Sequence, residues 1–291
     1  MSRMTRSTFI AFTIFFVASC SVVHAQYSRI VVFGDSLSDT GNSFAATGIP
    51  PAEAYFAGRF SNGPIWIDFL QQQLGLSDPQ MLNFAVGGAS SGFGYKAPPE
   101  GIFETPPGTV IPTVGVQIDL YRLTVGVSDP SQLTILWAGS NDLFTYSAPG
   151  PVVDNIEAHV RDLVATGADE FLIPGLSPLG TTPAVNGTLQ GLVLNYFSWQ
   201  FNRKLNRRLN SLESELGITI HRLDTYNLTI LGLLFPDAFG LTNTTDAALA
   251  DIASGLITPA EGATYFYWDI IHPTSQVHQT IAAAAISVLT N

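Results

Sequence analysis

Short apolar runs and longer segments of helical spacing alternate along the chain. The short runs are rich in β-branched and aromatic residues and predict strands at Arg29–Phe33, Met81–Val86, Thr134–Ala138, Glu170–Ile173 and Ile218–Arg222. The longer segments predict helices at Pro64–Leu74, Val114–Val125, Val152–Thr166, Leu189–Leu216 and Ser275–Leu289. Because strands and helices alternate along the chain, we predict an α/β fold in which a central parallel sheet carries helices on both faces, as a three-layer α/β/α sandwich.

The first three predicted strands each run into a glycine-containing segment with a candidate functional residue. Ser36 follows the first strand, Gly88 the second and Asn141 the third. Ligand sites of parallel α/β sheets lie beyond the carboxyl ends of the strands, so we expect these three residues at one edge. A serine there, with a helix behind it, has backbone N–H groups and a positive dipole end nearby. This position suits a nucleophile whose reaction builds negative charge.

A fourth segment, close to the C-terminus, carries Asp269 and His272 three positions apart. Pro273 disfavours a helical conformation for the residue before it, which predicts that His272 lies on a turn ahead of the last helix. On such a turn the Asp269 carboxylate can reach one ring nitrogen of His272. Ester hydrolysis needs a nucleophile, a base that activates it, and donors aimed at the developing oxyanion. The four segments together supply residues of these types.

In their order along the chain, the four segments resemble the Ser, Gly, Asn and His blocks of the GDSL, or SGNH, hydrolase family. The segments are Phe33 to Asn42, Asn83 to Ala89, Gly139 to Asp142 and Tyr267 to Thr274. The resemblance extends from about Ser28 to about Ala285 and implies a flavodoxin-like sheet. It also implies an ester hydrolase, and because no metal-ligand spacing is present, a mechanism without a cofactor is favoured.

The resemblance further implies a role for each candidate residue. Ser36 would be the nucleophile, His272 the base, and Asp269 the residue that orients the imidazole. The Ser36 N–H, the Gly88 N–H and the Asn141 side-chain amide would form the oxyanion hole. Gly88 is preferred to the glycine before it because it stands five residues after Asn83, which is the spacing of the family's second block. Some family members support the histidine with a backbone carbonyl, so the role of Asp269 stays open.

Structural interpretations compete with these roles. Ser36 is also an ordinary turn residue type, His272 a residue type that caps surface helices, and Asn141 a common N-cap. We interpret His159, His221 and His278 as surface or capping residues. We also interpret four polar residues of the Ser and Asn blocks as structural groups that hold turns by hydrogen bonds, namely Asp35, Asp39, Asn42 and Asp142.

Gly88-Ala89-Ser90-Ser91-Gly92 matches a second hydrolase motif, the G-x-S-x-G nucleophile elbow. An elbow opens into a helix, whereas residues 93–99 read as a loop, so Ser90 is the weaker candidate for the nucleophile. A glycine pattern in the same loop, Gly92-Phe93-Gly94-Tyr95-Lys96-Ala97, mimics a dinucleotide fingerprint but lacks the helix that must follow it. We therefore expect no nucleotide cofactor.

The N-terminus has the pattern of a secretory signal peptide. A basic start is followed by an apolar stretch from Phe9 to Val23 and by the small residue Ala25, which predicts cleavage after Ala25 and a hydrolase domain over residues 26–291. The sequence thus predicts a secreted protein without stable membrane insertion. Cys20 loosely matches a lipid-attachment site, and a lipoprotein anchored there is the alternative. No other cysteine is present, so the chain has no disulfide framework.

The charge of the chain limits its partners. The formal net charge is −11 at pH 7, which argues against nucleic acid and against anionic membranes as partners. We find no metal-ligand spacing and expect no metal site. The sequence gives no prediction of the oligomeric state.

The substrate is predicted only by class. Two long segments, Gly92–Gly115 and Phe235–Tyr265, read as rim loops whose aromatic residues either line an acyl or alcohol pocket or cover edges of the core. We expect a secreted esterase or lipase acting on carboxylic esters of small molecules, lipids or sugars. A carbohydrate O-acetyl esterase of the same mechanism is the alternative. A non-catalytic binding protein on the same scaffold is the alternative from another functional class.

Overall fold

The structure is a computed structural model that describes residues 27–98 and 103–290. The predicted cleavage site after Ala25 and the candidate lipidation site Cys20 lie outside the described residues.

The strands are β1 Arg29–Gly34, β2 Met81–Asn83, β3 Tyr95–Lys96, β4 Ile111–Pro112, β5 Gln132–Trp137, β6 Glu170–Pro174, β7 Thr219–Leu223, β8 Asn243–Ala247 and β9 Tyr265–Tyr267. The helices are α1 Asn42–Thr47, α2 Trp66–Gln73, α3 Val114–Thr124, α4 Ser140–Phe144, α5 Pro149–Val164, α6 Leu189–Leu216, α7 Thr225–Leu234, α8 Ala248–Ala253, α9 Pro259–Gly262 and α10 Ser275–Leu289. All five predicted strands and all five predicted helices are present, and α6 and α10 have the predicted bounds.

Five strands form the central sheet in the order β2-β1-β5-β6-β7, and every pair is parallel. This is the flavodoxin-like strand order, in which the chain reverses its direction of travel across the sheet next to β1. The predicted α/β fold with a central parallel sheet is therefore confirmed. The reversal places the carboxyl ends of β1 and β5 side by side, with the segments that follow them at one edge.

Burial explains why these runs form the sheet. Every residue of β5 is buried, and β1 is buried after its first residue, as expected for parallel strands covered on both faces. Helix α2 packs against α10, and α5 packs against α6 and α3, so that two groups of helices cover the sheet. Trp66 of α2 meets Trp137 of β5 edge to face, with ring centroids 5.3 Å apart. The core therefore reaches directly beneath the edge that carries the candidate residues.

Two elements differ from the sequence prediction. Strand β2 ends at Asn83 rather than at Val86, because the Asn83 side chain accepts the Ala85 N–H at 2.9 Å and bends the chain into the glycine turn. Helix α7 was not predicted. Its sequence is apolar at most positions and shows no helical period, although Asp224 caps it by accepting the Asn227 N–H at 3.0 Å.

Small elements surround the edge that carries the candidate residues. Strands β3 and β4 pair antiparallel inside the first predicted rim loop, and β8, inside the second, pairs with β9, which begins at the end of that loop. Within residues 27–98 and 103–290, no helix is at once long enough and apolar enough to cross a bilayer.

Candidate active site

Ser36 lies on a tight turn directly after β1. A Cβ atom at Gly34 would stand 2.4 Å from the Trp137 carbonyl oxygen, so only glycine allows β1 to lie this close to the end of β5. The Asp35 carbonyl then accepts the N–H groups of Ser38 and Asp39, both at 3.0 Å. These bonds close the turn and direct Ser36 away from the core, although its surroundings leave it only 8% exposed.

His272 connects Ser36 to Asp269. The distance from His272 Nε2 to Ser36 Oγ is 2.8 Å, and the distance from His272 Nδ1 to Asp269 Oδ2 is 2.7 Å. A carboxylate only accepts, so the Nδ1–H donates to Asp269, and Nε2 is left to accept the Ser36 hydroxyl proton. The structure thus brings together the three residues that the Ser and His blocks contribute. The geometry suits removal of a proton from Ser36.

Asp269 is held by more bonds than the one to the imidazole. Its Oδ1 accepts the N–H groups of Ile271 at 2.9 Å and His272 at 2.7 Å, which closes the turn that carries the histidine. Burial by itself disfavours the Asp269 anion. The neighbouring His272 and the hydrogen bonds that Asp269 accepts outweigh burial and hold its pKa below the usual range. Asp269 is therefore an anion fixed in place on the side of the ring away from Ser36.

Tyr55 is a member of this cluster that the sequence did not indicate. Its phenol donates to Asp269 Oδ2 at 2.7 Å, so the same oxygen accepts from Tyr55 and from His272. The side chain is buried, and burial together with the nearby Asp269 charge raises its pKa, which keeps the phenol a donor. Tyr55 lies in a loop 214 positions from Asp269, and no motif marks it.

The loop that carries Tyr55 also fastens the turn that carries His272. Ser61 Oγ donates to the Pro273 carbonyl at 2.9 Å, and the Ser275 N–H donates to Asn62 Oδ1 at 2.8 Å. The Trp268 indole N–H donates to the carbonyl of Ala54 at 3.0 Å. These bonds fix the orientation of the turn relative to β1, and with it the distance between His272 and Ser36.

The second block supplies a free backbone donor at Gly88. The Gly87 N–H is already engaged, at 2.8 Å from Asp39 Oδ2 and 2.7 Å from Ser43 Oγ. Gly88 has a φ of +78°, a left-handed conformation that glycine adopts readily and that turns the backbone at this position. Within the described part of the chain, neither the Ser36 N–H nor the Gly88 N–H has a hydrogen-bond acceptor. Both are available to an oxygen of a ligand.

Asn141 is oriented by the neighbouring loop. Its side-chain amide donates to the Ala89 carbonyl at 3.0 Å and stands 3.4 Å from Asp35 Oδ2. The N-cap of α4 is Gly139, and the Asn141 side chain makes no capping bond, so the N-cap interpretation of Asn141 is wrong. Asp35 is fully buried, and burial raises the pKa of its carboxyl to about 6.

The residues interpreted as structural do hold turns. Asp39 accepts the N–H groups of Gly41 at 2.8 Å and Asn42 at 2.6 Å. Asp142 accepts the Ser91 N–H at 2.8 Å and the Ser91 hydroxyl at 2.9 Å, which ties the Gly88 loop to α4. Ser90, the elbow candidate, is followed by bends rather than a helix and contacts none of the described histidines by a hydrogen bond.

The interpretation of the other histidines as surface residues is wrong for two of them. His159 and His278 are fully buried, because they occupy core-facing positions of α5 and α10. His159 Nε2 lies 2.6 Å from the Ser91 carbonyl oxygen, and burial lowers its pKa. Neither ring nitrogen of His278 has a partner among the described residues. His221 is partly buried and lies 2.9 Å from both Glu170 and the Val288 carbonyl.

Two clefts meet at the nucleophile. The first, the α7 cleft, has a volume of about 970 Å³ including its open mouth, and the second, the α1 cleft, about 790 Å³. Both are lined by the same four residues at their junction, which are Ser36, Asn141, Ile271 and His272. Apolar side chains form most of the remaining α7 cleft, among them Leu228, Phe239, Leu241, Phe266, Val277 and Ile281. Those of the α1 cleft include Ala46, Ile49, Phe60, Phe103, Val110 and Ile111.

The rim aromatics divide between the two predicted roles. Phe103 lines the α1 cleft, where it and Phe60 lie beside the His272 ring, with centroid distances of 6.5 and 5.2 Å. Phe239 lines the α7 cleft. Phe93 lines neither cleft and instead lies against His159, with ring centroids 4.7 Å apart. Among the described residues, no group of three or more His, Cys, Asp or Glu side chains is placed to hold a metal ion.

Known proteins resemble the chain over most of its length. The sequence profile of the family described as GDSL-like Lipase/Acylhydrolase matches residues 30–285. A thermolabile hemolysin of Vibrio parahaemolyticus is 28% identical, over 88% of this chain and 62% of the hemolysin. A phosphatidylcholine-sterol acyltransferase of Aeromonas hydrophila is 26% identical, over 90% of both chains. A GDSL esterase/lipase of Arabidopsis thaliana is 27% identical, over 91% of this chain and 92% of the plant protein.

One solved structure shares the fold at low sequence identity. A member of the lipolytic G-D-S-L family from Veillonella parvula superposes with a TM-score of 0.50 and 16% identity. The superposition covers 90% of this chain and 98% of that protein.

Proposed function

The chain belongs to the GDSL-like lipase/acylhydrolase family and is an ester hydrolase, and we propose that it hydrolyses carboxylic esters with Ser36, His272 and Asp269 as a catalytic triad. One observation carries this proposal. A continuous hydrogen-bonded chain runs from Ser36 Oγ through both nitrogens of His272 to the Asp269 carboxylate. That arrangement meets the geometric requirement for an activated serine.

In the first half of the reaction, Ser36 Oγ attacks the ester carbonyl carbon while His272 Nε2 takes the hydroxyl proton. Asp269 accepts from Nδ1–H throughout and stabilises the imidazolium. The carbonyl oxygen becomes an oxyanion that accepts from the N–H groups of Ser36 and Gly88 and from the Asn141 amide. When the tetrahedral intermediate collapses, the C–O bond to the alcohol breaks and His272 gives its proton to the departing oxygen. An acyl ester remains on Ser36.

In the second half, a water molecule attacks the acyl carbon and His272 takes one of its protons. Collapse of this second intermediate breaks the bond to Ser36 Oγ, returns the proton to it, and releases the carboxylic acid. The same three donors hold the oxyanion in both halves. The names of the plant esterase/lipase and of the Aeromonas acyltransferase support an acyl ester of a lipid as the substrate.

The nucleophile is tested by substitution and by labelling. Ser36→Ala should reduce hydrolysis of 4-nitrophenyl esters to near background, because no other described hydroxyl bonds to His272. A serine-directed phosphonate should attach to Ser36, as read by peptide mass spectrometry. Ser90→Ala is the matched control and should keep its activity. Labelling at Ser90 would contradict the proposal.

The oxyanion hole is tested at Asn141. Its amide would donate to an oxygen that is fully charged only near the transition state, so Asn141→Ala should lower kcat much more than it raises KM. The expected loss in kcat is about 10²–10³-fold, as for deletion of one donor in another serine hydrolase. A reduced melting temperature with an unchanged kcat would remove Asn141 from the mechanism.

Residues 1–25 are proposed to direct secretion. The observation behind this proposal is the basic start, the apolar stretch and the small residue Ala25. In a host that recognises the signal, the exported protein should begin at Gln26 when its N-terminus is read by mass spectrometry. A lipid on Cys20, or a protein that keeps residues 1–25, would contradict cleavage after Ala25.

A further inference from the structure

The two clefts that meet at Ser36 carry information about the substrate that the catalytic residues do not. From their walls, we propose that the enzyme selects uncharged esters with an apolar group on each side of the ester bond, one in the α7 cleft and the other in the α1 cleft. This inference rests on the proposed function, since it takes Ser36 as the point at which the ester is attacked. It excludes acetylated sugars as the preferred substrates.

Most polar side chains of the α7 cleft are already engaged with the protein, and the Ser140 hydroxyl is an exception among the described lining residues. Beyond the junction, the hydroxyl and amide donors bond to neighbouring groups, as follows: Thr225 to the Gly175 carbonyl, Thr229 to Ser177, Thr182 to the Leu179 carbonyl, Thr280 to the Gln276 carbonyl, and Gln276 to the Phe239 and Gly240 carbonyls. A sugar hydroxyl buried here would regain few of the hydrogen bonds that it makes to water, which is costly. An alkyl or aryl group makes no hydrogen bonds to water and therefore loses none when it enters the cleft.

Most polar side chains of the α1 cleft are also hydrogen-bonded to the protein. Ser43 Oγ donates to Asp39 at 2.5 Å, and Thr47 donates to the Ser43 carbonyl at 2.8 Å. The Asn42 amide donates to two backbone carbonyls, and Thr109 donates to a third. Thr105 is the exception among the described lining residues. This cleft therefore also offers a ligand mainly apolar surface.

Few charged groups line the clefts, and they lie beside the nucleophile. Of the described residues that line either cleft, only Asp35 and His272 carry a carboxyl, amino, guanidinium or imidazole group, and His272 belongs to the proposed triad. Burial raises the pKa of Tyr267, so its phenol stays neutral. A charged alcohol would find no counter-ion along the described walls except the carboxyl of Asp35, which is almost completely buried beside Ser36. The walls therefore favour a neutral alcohol as well as an apolar acyl chain.

The substrate preference is tested with three soluble esters. Ethyl acetate fills neither cleft, ethyl hexanoate extends the acyl side by four carbons, and hexyl acetate extends the alcohol side by four carbons. Transfer of one methylene from water into an apolar site improves binding by up to about fourfold. We expect kcat/KM, measured by pH-stat, to rise at least about tenfold over ethyl acetate for each longer ester. Acetylated xylan and glucose pentaacetate should be poorer substrates than hexyl acetate.

Filling each cleft separately shows which half of the ester it holds. Leu228→Trp narrows the α7 cleft, and Leu231→Trp is its matched control, an exposed residue of the same helix outside the lining. Ala46→Trp narrows the α1 cleft, and Ala45→Trp is its control on α1. If a tryptophan variant does not fold, phenylalanine at the same position replaces it.

The readouts are two ratios of kcat/KM, hexanoate to acetate and hexyl to ethyl, because a ratio cancels any loss of folded protein. One cleft variant should lower only the first ratio and the other only the second, each at least about fivefold. Both controls should keep both ratios within about twofold. Two cleft variants that lower the same ratio, or that lower neither, overturn the inference.

Failure of this inference differs from failure of the proposed function. If the wild-type enzyme cleaves ethyl acetate or acetylated xylan as well as the longer esters, and Ser36→Ala abolishes that activity, only the inference fails. If the enzyme cleaves none of these esters and not 4-nitrophenyl acetate, the proposed function fails and the inference falls with it.

Discussion

His272 and His278 are two buried histidines six positions apart, and they differ in what their ring nitrogens contact. In His272, one nitrogen lies 2.7 Å from Asp269 and the other 2.8 Å from Ser36. In His278, which lies in the first turn of α10, neither nitrogen has a partner in the described structure. Both side chains are almost completely inaccessible. Burial is therefore common to the two, and only the partners distinguish them.

The comparison separates a histidine with a shifted pKa from the candidate catalytic histidine. Burial, with the nearby His272 as a second cause, lowers the pKa of His278 to about 3 and keeps its imidazole neutral. A shifted pKa in a cleft is often taken as a sign of function. Here the large shift belongs to a side chain that packs in the core and whose ring nitrogens have no hydrogen-bond partner among the described residues. The bonding geometry, and not the size of the shift, identifies the candidate base.

The largest difference between substitutions of His272 and of His278 is expected in catalysis. His272→Ala should lower kcat/KM for a 4-nitrophenyl ester by at least about 10⁴-fold, because Ser36 loses its proton acceptor. His278→Leu is the matched comparison and should keep kcat/KM within about threefold, since its ring contacts no proposed catalytic residue through a hydrogen bond. Equal losses in the two variants, at equal folded fraction by circular dichroism, would remove the distinction.

Asp269→Asn tests whether the partner of Nδ1 makes His272 a base. An amide can donate to Nδ1 and thereby favour the wrong tautomer, so kcat should fall by up to about 10⁴-fold, as in serine proteases. Steady-state kinetics at saturating ester measure the loss. A decrease of less than about tenfold would mean that another group orients the imidazole.

Tyr55→Phe is expected to have a smaller effect on catalysis. The substitution deletes one of the hydrogen bonds that fix the Asp269 carboxylate and leaves the imidazole bond in place. We expect kcat to fall by up to about tenfold, with a loss of about 1.5–3 kcal/mol in unfolding free energy. Tyr265→Phe is the control, because Tyr265 donates to Asp251 at 3.1 Å, away from Ser36. If both variants lose kcat equally, Tyr55 has no special role at Asp269.

The last prediction concerns stability alone. The folded pKa of His278 is about 3, below the value of about 6.5 in an unfolded chain. Between these two pKa values, His278 is protonated in the unfolded state and neutral in the folded state. The free energy of unfolding therefore falls as pH drops from about 6.5 towards 3, by about 1.4 kcal/mol per pH unit. Between pH 7 and pH 5, the wild type should lose about 2 kcal/mol more than His278→Leu in urea unfolding. Parallel losses in the two proteins would contradict this prediction.

The sequence predicted those features that depend on local pattern. The bounds of α6 and α10 follow from long apolar periods, and the five strands of the sheet follow from short apolar runs. The meeting of Ser36, Gly88 and Asn141 was predictable because each follows a parallel strand. Helix α7 was missed because it has no periodic polar face.

Features that depend on distant contacts were not predictable. Tyr55 reaches Asp269 only through the folded path of the chain, and a single tyrosine in a loop carries no motif. Burial of His159 and His278 was also missed, since a lone histidine gives no periodic signal that distinguishes a core position from a surface one. The end of β2 depended on the side chain of Asn83, which bends the backbone by a local hydrogen bond.

The bond between Ser36 and His272 joins residues 236 positions apart. The loop that fastens the histidine turn is likewise more than 200 positions away from it, with Asn62 and Ser275 separated by 213. During synthesis the proposed nucleophile therefore emerges 236 residues before its proposed base. A nascent chain that has completed the sheet still lacks the base. If Ser36 and His272 act together as proposed, hydrolysis should begin only when these two distant segments have come together, and its onset during refolding would time that step.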